Sequence, residues 1–192
     1  GEPEWVYLSS QGGNSLPWHK TLEEYFNAHP KINLAFQPGT YQIELGKDKL
    51  AGIYKRTKVF ICNKEEAQKI LGTDENEVKK LLKQIGELGP EIIVITDGVK
   101  GAYIFSRGEA LFMPPYPDVA PPLERTGAGD AFSSTFVACL CLGLEPREAL
   151  KWAPVNAMSV VQYVGAREGL LSREKIEEFL KKAPTDYKAK LI

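Results

Sequence analysis

The chain has 192 residues, 43% of them hydrophobic and 26% charged, and a net charge of -1. This suits one soluble globular domain that buries roughly 70% of its unfolded surface, so neither a disulfide framework nor a structural metal is required. Acids and bases are interleaved, which argues against a nucleic-acid or anionic-membrane partner. The longest apolar run, FVACLCLGL at 136–144, is far shorter than the roughly 20 residues of a bilayer crossing.

In chain order, WVYLS at 5–9 reads as a short strand, and 19–28 has helical spacing at Leu22, Tyr25 and Phe26. INLAF at 32–36 is the next strand, LAGIYKR ends a second helix, and KVFIC at 58–62 is a third strand opening into NKEEAQKILG, whose Gly72 suits a helix end. Asp74 and Glu77 have capping-box spacing before the helix VKKLLKQIGELG, and EIIVIT at 91–96 is the fourth strand. Near-continuous apolar strands alternating with helices indicate a mostly parallel, Rossmann-like sheet covered on both faces. A hairpin turning at Arg107-Gly108, a proline-rich crossing PPYPDVAPP, and helices at 130–142, 146–163 and 172–182 complete a single α/β domain, with Pro146 in a first turn and Ser172 as a cap.

Three cysteines, with Cys139 and Cys141 on different helical faces, and two unpaired histidines, His19 and His29, expected in surface roles, point to neither zinc nor disulfides. The setting expected from them is reducing, intracellular and cytoplasmic.

The string ERTGAGDAF at 124–132 carries the chemistry. In open parallel α/β sheets ligands bind beyond the strands' carboxyl ends, where loops hand over to helix starts. Small side chains in TGAGD let the main chain approach a ligand, and free amides with the positive helix end favour a phosphate or developing oxyanion. Asp130, in the first turn, can accept a proton from a hydroxyl, so loop and acid together suggest phosphoryl transfer. A bare G-x-G-D can also be a tight turn with a favourable N-terminal acid. The P-loop string is absent, the dinucleotide fingerprint lacks its third glycine where Phe132 stands, and protein-kinase H-R-D and D-F-G strings are missing.

RTGAGDAF, followed by helices ending in SVVQYVGAREGLLS, resembles the C-terminal signature of the PfkB family, the ribokinase-like carbohydrate and nucleoside kinases. The resemblance implies that Asp130 is the catalytic base and that Gly127, Ala128 and Gly129 form an anion hole, with ATP and Mg2+ as cofactors. Asn63 and Glu66 match the family's N-x-x-E, which contacts nucleotide phosphates and water-bound magnesium; as physics alone they are a helix cap and a solvated acid. Thr96, Gly98 and Gly101 match a T-x-G-x-x-G segment lining the nucleotide site, with Lys100 able to neutralise phosphate; the plain alternatives are a hairpin-entry turn and a solvated lysine. Pro154 stands where many relatives carry an asparagine, leaving Asn156 as the substitute beside adenine, with Trp152 as core. Glu124 replaces the family's usual aspartate. With Thr126 and the carbonyls near Gly165 it resembles a monovalent-cation site for K+, which the longer side chain either completes or blocks.

The family's N-terminal strands, sugar-gripping motif and β lid have no counterpart before residue 5, so the chain corresponds to the C-terminal, nucleotide-side portion. The expected partner is a small sugar or nucleoside. The expected edge strand at 5–9 is open to pairing, which suggests homo-oligomers or edge protection. Two further readings are a nucleotide-binding regulatory module and an assembly scaffold, both without turnover.

Overall fold

A computed structural model describes all of residues 1–192. The residues segregate into two compact units, 1–96 with 104–110, and 97–103 with 111–192. One seven-stranded mixed sheet runs in the order β1-β2-β3-β4-β5-β6-β7. Its strands are β1 (Trp5–Leu8), β2 (Asn33–Phe36), β3 (Thr57–Asn63), β4 (Ile92–Thr96), β5 (Ala102–Ser106), β6 (Glu109–Met113) and β7 (Lys190–Leu191).

In the first unit β1 to β4 are all parallel, with Val6 opposite Leu34, Ala35 opposite Val59, and Phe60 opposite Ile93. Parallel strands are covered on both faces, which is why Leu34–Phe36, Val59–Cys62 and Ile92–Ile95 are buried without alternation. The covering helices are α1 (Leu16–Ala28), α2 (Thr40–Leu45), α3 (Ala51–Arg56), α4 (Lys64–Leu71) and α5 (Val78–Gly86). On α5 the buried residues Val78, Leu81, Leu82 and Ile85 recur at helical spacing, so a single stripe faces the core. Phe36, Tyr54 and Phe60 meet with ring centroids 5.4 to 5.8 Å apart at the centre of this unit.

Three local expectations change. The second helix is two, α2 and α3, separated where GKDKL at 46–50 places three charged residues in succession. Glu77, not Asp74, precedes α5, and no side chain caps it, because the Glu75 carboxylate accepts from the Asn76 and Glu77 amides at 2.8 and 2.9 Å and pairs with Lys80 at 3.2 Å. His19 is a core residue, 1% exposed, rather than a surface one. Its Nδ1–H donates to the Ser15 carbonyl at 2.7 Å, and its Nε2 accepts from Gln42 at 2.9 Å. A buried imidazole is tolerated there because both ring nitrogens are satisfied.

The hairpin between β5 and β6 turns where expected, with Arg107 and Gly108 both at positive φ, 52° and 83°, as a tight two-residue turn demands. In the second unit α6 (Ala128–Cys141) and α7 (Pro146–Val160) bury Phe132, Phe136, Leu150, Val155 and Met158, and α8 (Arg173–Lys181) follows with Ser172 as its cap. The Tyr116 hydroxyl donates to the Phe179 carbonyl at 2.8 Å, and its ring meets Tyr187 at 4.9 Å, so the proline-rich crossing is anchored on the C-terminal segment. Cys62 and Cys139 are buried and Cys141 is exposed, and none of the three forms a disulfide. Burial pushes the Cys139 thiol up to about 12 and the Cys62 thiol well up, the latter helped by the Glu66 carboxylate. Both are chemically quiet core residues.

Candidate active site

The first unit presents its candidate residues at the carboxyl ends of two adjacent strands. Asn63 closes β3 and Thr96 closes β4, and the two are register partners. Asn63 then caps α4. Its Oδ1 accepts from the Glu66 N–H at 2.8 Å, while Glu66 Oε2 accepts from the Asn63 N–H at 2.8 Å. This reciprocal capping box fixes the Glu66 carboxylate one turn above the strand end, so the cap and the proposed ligand are the same device.

Residues 97–101 form a tight turn, with a 3-10 stretch over Gly98–Lys100, closed by the Asp97 N–H donating to the Gly101 carbonyl at 2.8 Å. Lys100 is solvent-facing and pairs with Asp97 at 3.5 Å, a partner that the expected phosphate role had not included. A side chain at Gly101 would place its Cβ 2.4 Å from the Met113 carbonyl oxygen. That close approach accounts for this glycine by packing alone.

In the second unit the chain enters α6 through Gly127, whose φ of 82° lies in the left-handed region. Its hypothetical Cβ would lie 2.8 Å from the Cα, Cβ and carbonyl oxygen of Ala166, so only glycine fits between the two segments. The Ala128 N–H turns back to the Arg125 carbonyl at 3.3 Å, and the Ala131 N–H donates to the Gly127 carbonyl at 2.8 Å. No side chain caps this helix start, and the Gly127 and Gly129 N–H groups take no acceptor within the chain. Thr126, Gly129 and Asp130 are exposed, and Asp130 occupies the first turn, near the positive helix end. An open amide pair beside an exposed carboxylate can receive an anion and a proton side by side.

Glu124 is arranged differently from the expected cation ligand. Gly165 presents its N–H, not a carbonyl, and donates to Glu124 Oε2 at 3.1 Å. The Thr126 hydroxyl and this amide hold the Glu124 carboxyl below the usual carboxylate range. A carboxylate so held contributes stability at neutral pH, and that contribution is lost as pH falls through its lowered value.

Asn156 lies on α7, two residues past Pro154, and is buried. Its Nδ2 donates to Thr135 Oγ1 at 2.7 Å, and its Oδ1 accepts from the Leu171 N–H at 2.9 Å. Both ends of the amide join α6, α7 and the segment after α7. Thr135 and Leu171 are partners that no sequence spacing indicated, and Trp152, expected in the core, is only half-buried.

The strand order, the alternation of strand and helix, and the small-residue loop opening α6 define an α/β protein of the ribokinase-like class. The chain belongs to the pfkB family of carbohydrate kinases, whose model matches residues 4–173. It is 26% identical over 164 residues to an uncharacterized sugar kinase of Archaeoglobus fulgidus, covering 85% of this chain and 62% of that protein. It is 33% identical over 123 residues to the 2-dehydro-3-deoxygluconokinase of Thermoproteus tenax, covering 64% of this chain and 37% of that one. Ribokinase from Arabidopsis thaliana, solved with ribose and ATP, superposes with a TM-score of 0.77 at 19% identity, over 93% of this chain and 56% of that one. The chain thus spans less than two thirds of the length of these relatives. No helix is long and apolar enough to cross a membrane.

Proposed function

We propose that the chain is the C-terminal, nucleotide-side portion of an ATP-dependent kinase that phosphorylates a hydroxyl of a sugar or nucleoside in the cytoplasm, with Asp130 as the general base. The observation that carries this reading is the uncapped start of α6, with open Gly127 and Gly129 amides beside the exposed Asp130. The amides at 127–129 stabilise charge on the transferring phosphoryl group. Asp130 accepts the proton of the attacking hydroxyl as its oxygen bonds to phosphorus and the bond to ADP breaks.

Thr96 and the turn at 98–101 are assigned to the nucleotide, with Lys100 exchanging Asp97 for phosphate. Magnesium typically keeps several waters and takes one or two carboxylates, which suits the single, capping-box-fixed Glu66 with Asn63 beside it. When bound it would neutralise phosphate charge. Because the Asn156 amide is engaged at both ends, it is assigned a supporting place behind the adenine site and not a direct contact with the base.

Calorimetric titration with ATP and magnesium tests the reading. Saturable binding in roughly the micromolar-to-millimolar range common for enzyme substrates is expected; heats indistinguishable from dilution would leave only a scaffold role. The position of β1 at the end of the sheet supports pairing of that edge with a second chain or segment. Self-association is therefore expected in sedimentation at high concentration, and a monomer with slow amide exchange over residues 5–9 would contradict it.

A further inference from the structure

We infer that Glu124 is a positioning residue for the phosphoryl-transfer loop: its carboxylate, joined to the Gly165 N–H, holds residues 161–168 as the floor under Gly127 without a monovalent cation. The inference deepens the kinase reading and rests on it for the loop's role.

Residues 123–127 and 161–168 are stitched at successive points. The Leu123 and Glu124 amides both donate to the Val161 carbonyl, at 2.8 and 3.3 Å. Glu124 then reaches across to Gly165 at 3.1 Å, and one residue further on Ala166 fills the space against Gly127. Gly127 in turn sets the direction in which α6 begins. Beyond the buried Val161 the floor segment is a run of mostly exposed turns and bends, whose Tyr163 and Val164 side chains face solvent, so past its first residue it brings little apolar packing of its own. A charge-assisted hydrogen bond is therefore a large part of what fixes it.

The resemblance to the family implies a monovalent cation at this place, and the donor set does not fit one. Cation ligands must be acceptors, but the main chain at Gly165 turns a donor toward the carboxylate. A cation entering there would face the positive end of that amide. No cluster of three or more His, Cys, Asp or Glu side chains offers a metal site elsewhere in the chain.

Amide exchange and MgATP calorimetry on the chain and on Glu124→Ala and Glu124→Gln, each in K+ and in Na+ at equal ionic strength, decide the matter. Glu124→Ala is expected to speed exchange at Gly165 and at 127–130 and to weaken MgATP, each about tenfold, the effect of losing one such bond. Glu124→Gln keeps an oxygen acceptor and is expected to restore both readouts to within about threefold of the parent, a rescue that bulk destabilisation would not produce. The parent affinity is expected to be the same in both salts. Unchanged exchange and affinity in Glu124→Ala, equal damage from both variants, or a severalfold gain in K+ would each overturn the inference. A parent chain that binds no MgATP defeats the kinase reading instead, and exchange at 127–130 in Glu124→Ala still judges the clamp.

Discussion

Asp130→Asn is expected to slow phosphoryl transfer to the accepted sugar or nucleoside by about 10²- to 10⁴-fold, the range that a positioned general base contributes. The substitution preserves shape and hydrogen-bonding capacity at an exposed first-turn position, so folding should hardly register it. Removing a negative charge from the positive end of a helix costs typically less than about 1 kcal/mol at an exposed site. MgATP affinity should stay close to the parent value or rise slightly, because an anionic neighbour of the phosphate has been neutralised. The signature is thus a fall in kcat with the nucleotide still bound. Turnover over a panel of sugars and nucleosides, with slow ATP hydrolysis by water as a second readout, checks it. A variant that keeps its rate to within about threefold would remove Asp130 from the base role, since no general base is that dispensable.

What could be read from the chain alone follows from the range of the forces involved. The strands at 33–36, 58–62 and 92–95 were legible because a parallel sheet demands unbroken apolar runs, and the Arg107-Gly108 turn because a two-residue hairpin needs positive φ. The helix starts at Pro146 and Ser172 were legible for equally local reasons. Contacts between distant segments were not. His19 looked like a surface residue because its partner Gln42 lies 23 positions away on another helix, and only folding places the two in one interior pocket of polar groups. The anchoring of Asn156, which the family resemblance places beside adenine, was hidden because its partner Thr135 is 21 positions distant. Glu124 and Gly165 are 41 apart, and nothing in the spacing tells whether the main chain will turn its carbonyl or its amide toward the carboxylate. The site's small-residue loop was visible in one dimension, but the partners that hold it are a property of the fold.

The two glycines of that loop should separate under substitution, because one serves the fold and the other the ligand. Gly127→Ala is expected to destabilise the protein by about 2–5 kcal/mol. Holding a non-glycine residue in the left-handed region costs roughly 1–3 kcal/mol, and forcing a Cβ to within 2.8 Å of Ala166 adds an overpacking cost of similar size. In a domain whose whole stability is about 5–15 kcal/mol, that is a drop in thermal midpoint on the order of 10 °C. Gly129 sits in the same loop with nothing within 4 Å of its hypothetical Cβ. Gly129→Ala is expected to leave stability unchanged or raise it by up to about 1 kcal/mol, the helix-propensity difference between the two residues. Function should move the other way. A Cβ on a helix leans toward the N-terminus, so the added methyl stands over the open amides where a phosphoryl group would sit. MgATP affinity and turnover are expected to fall by roughly tenfold or more, the cost of displacing one charge-assisted contact. Thermal melts and nucleotide titrations of the two variants side by side read both halves. A Gly129→Ala chain that binds MgATP as well as its parent would detach the helix start from the ligand, and a Gly127→Ala chain that melts at the parent temperature would show that Ala166 yields where it is packed against the loop.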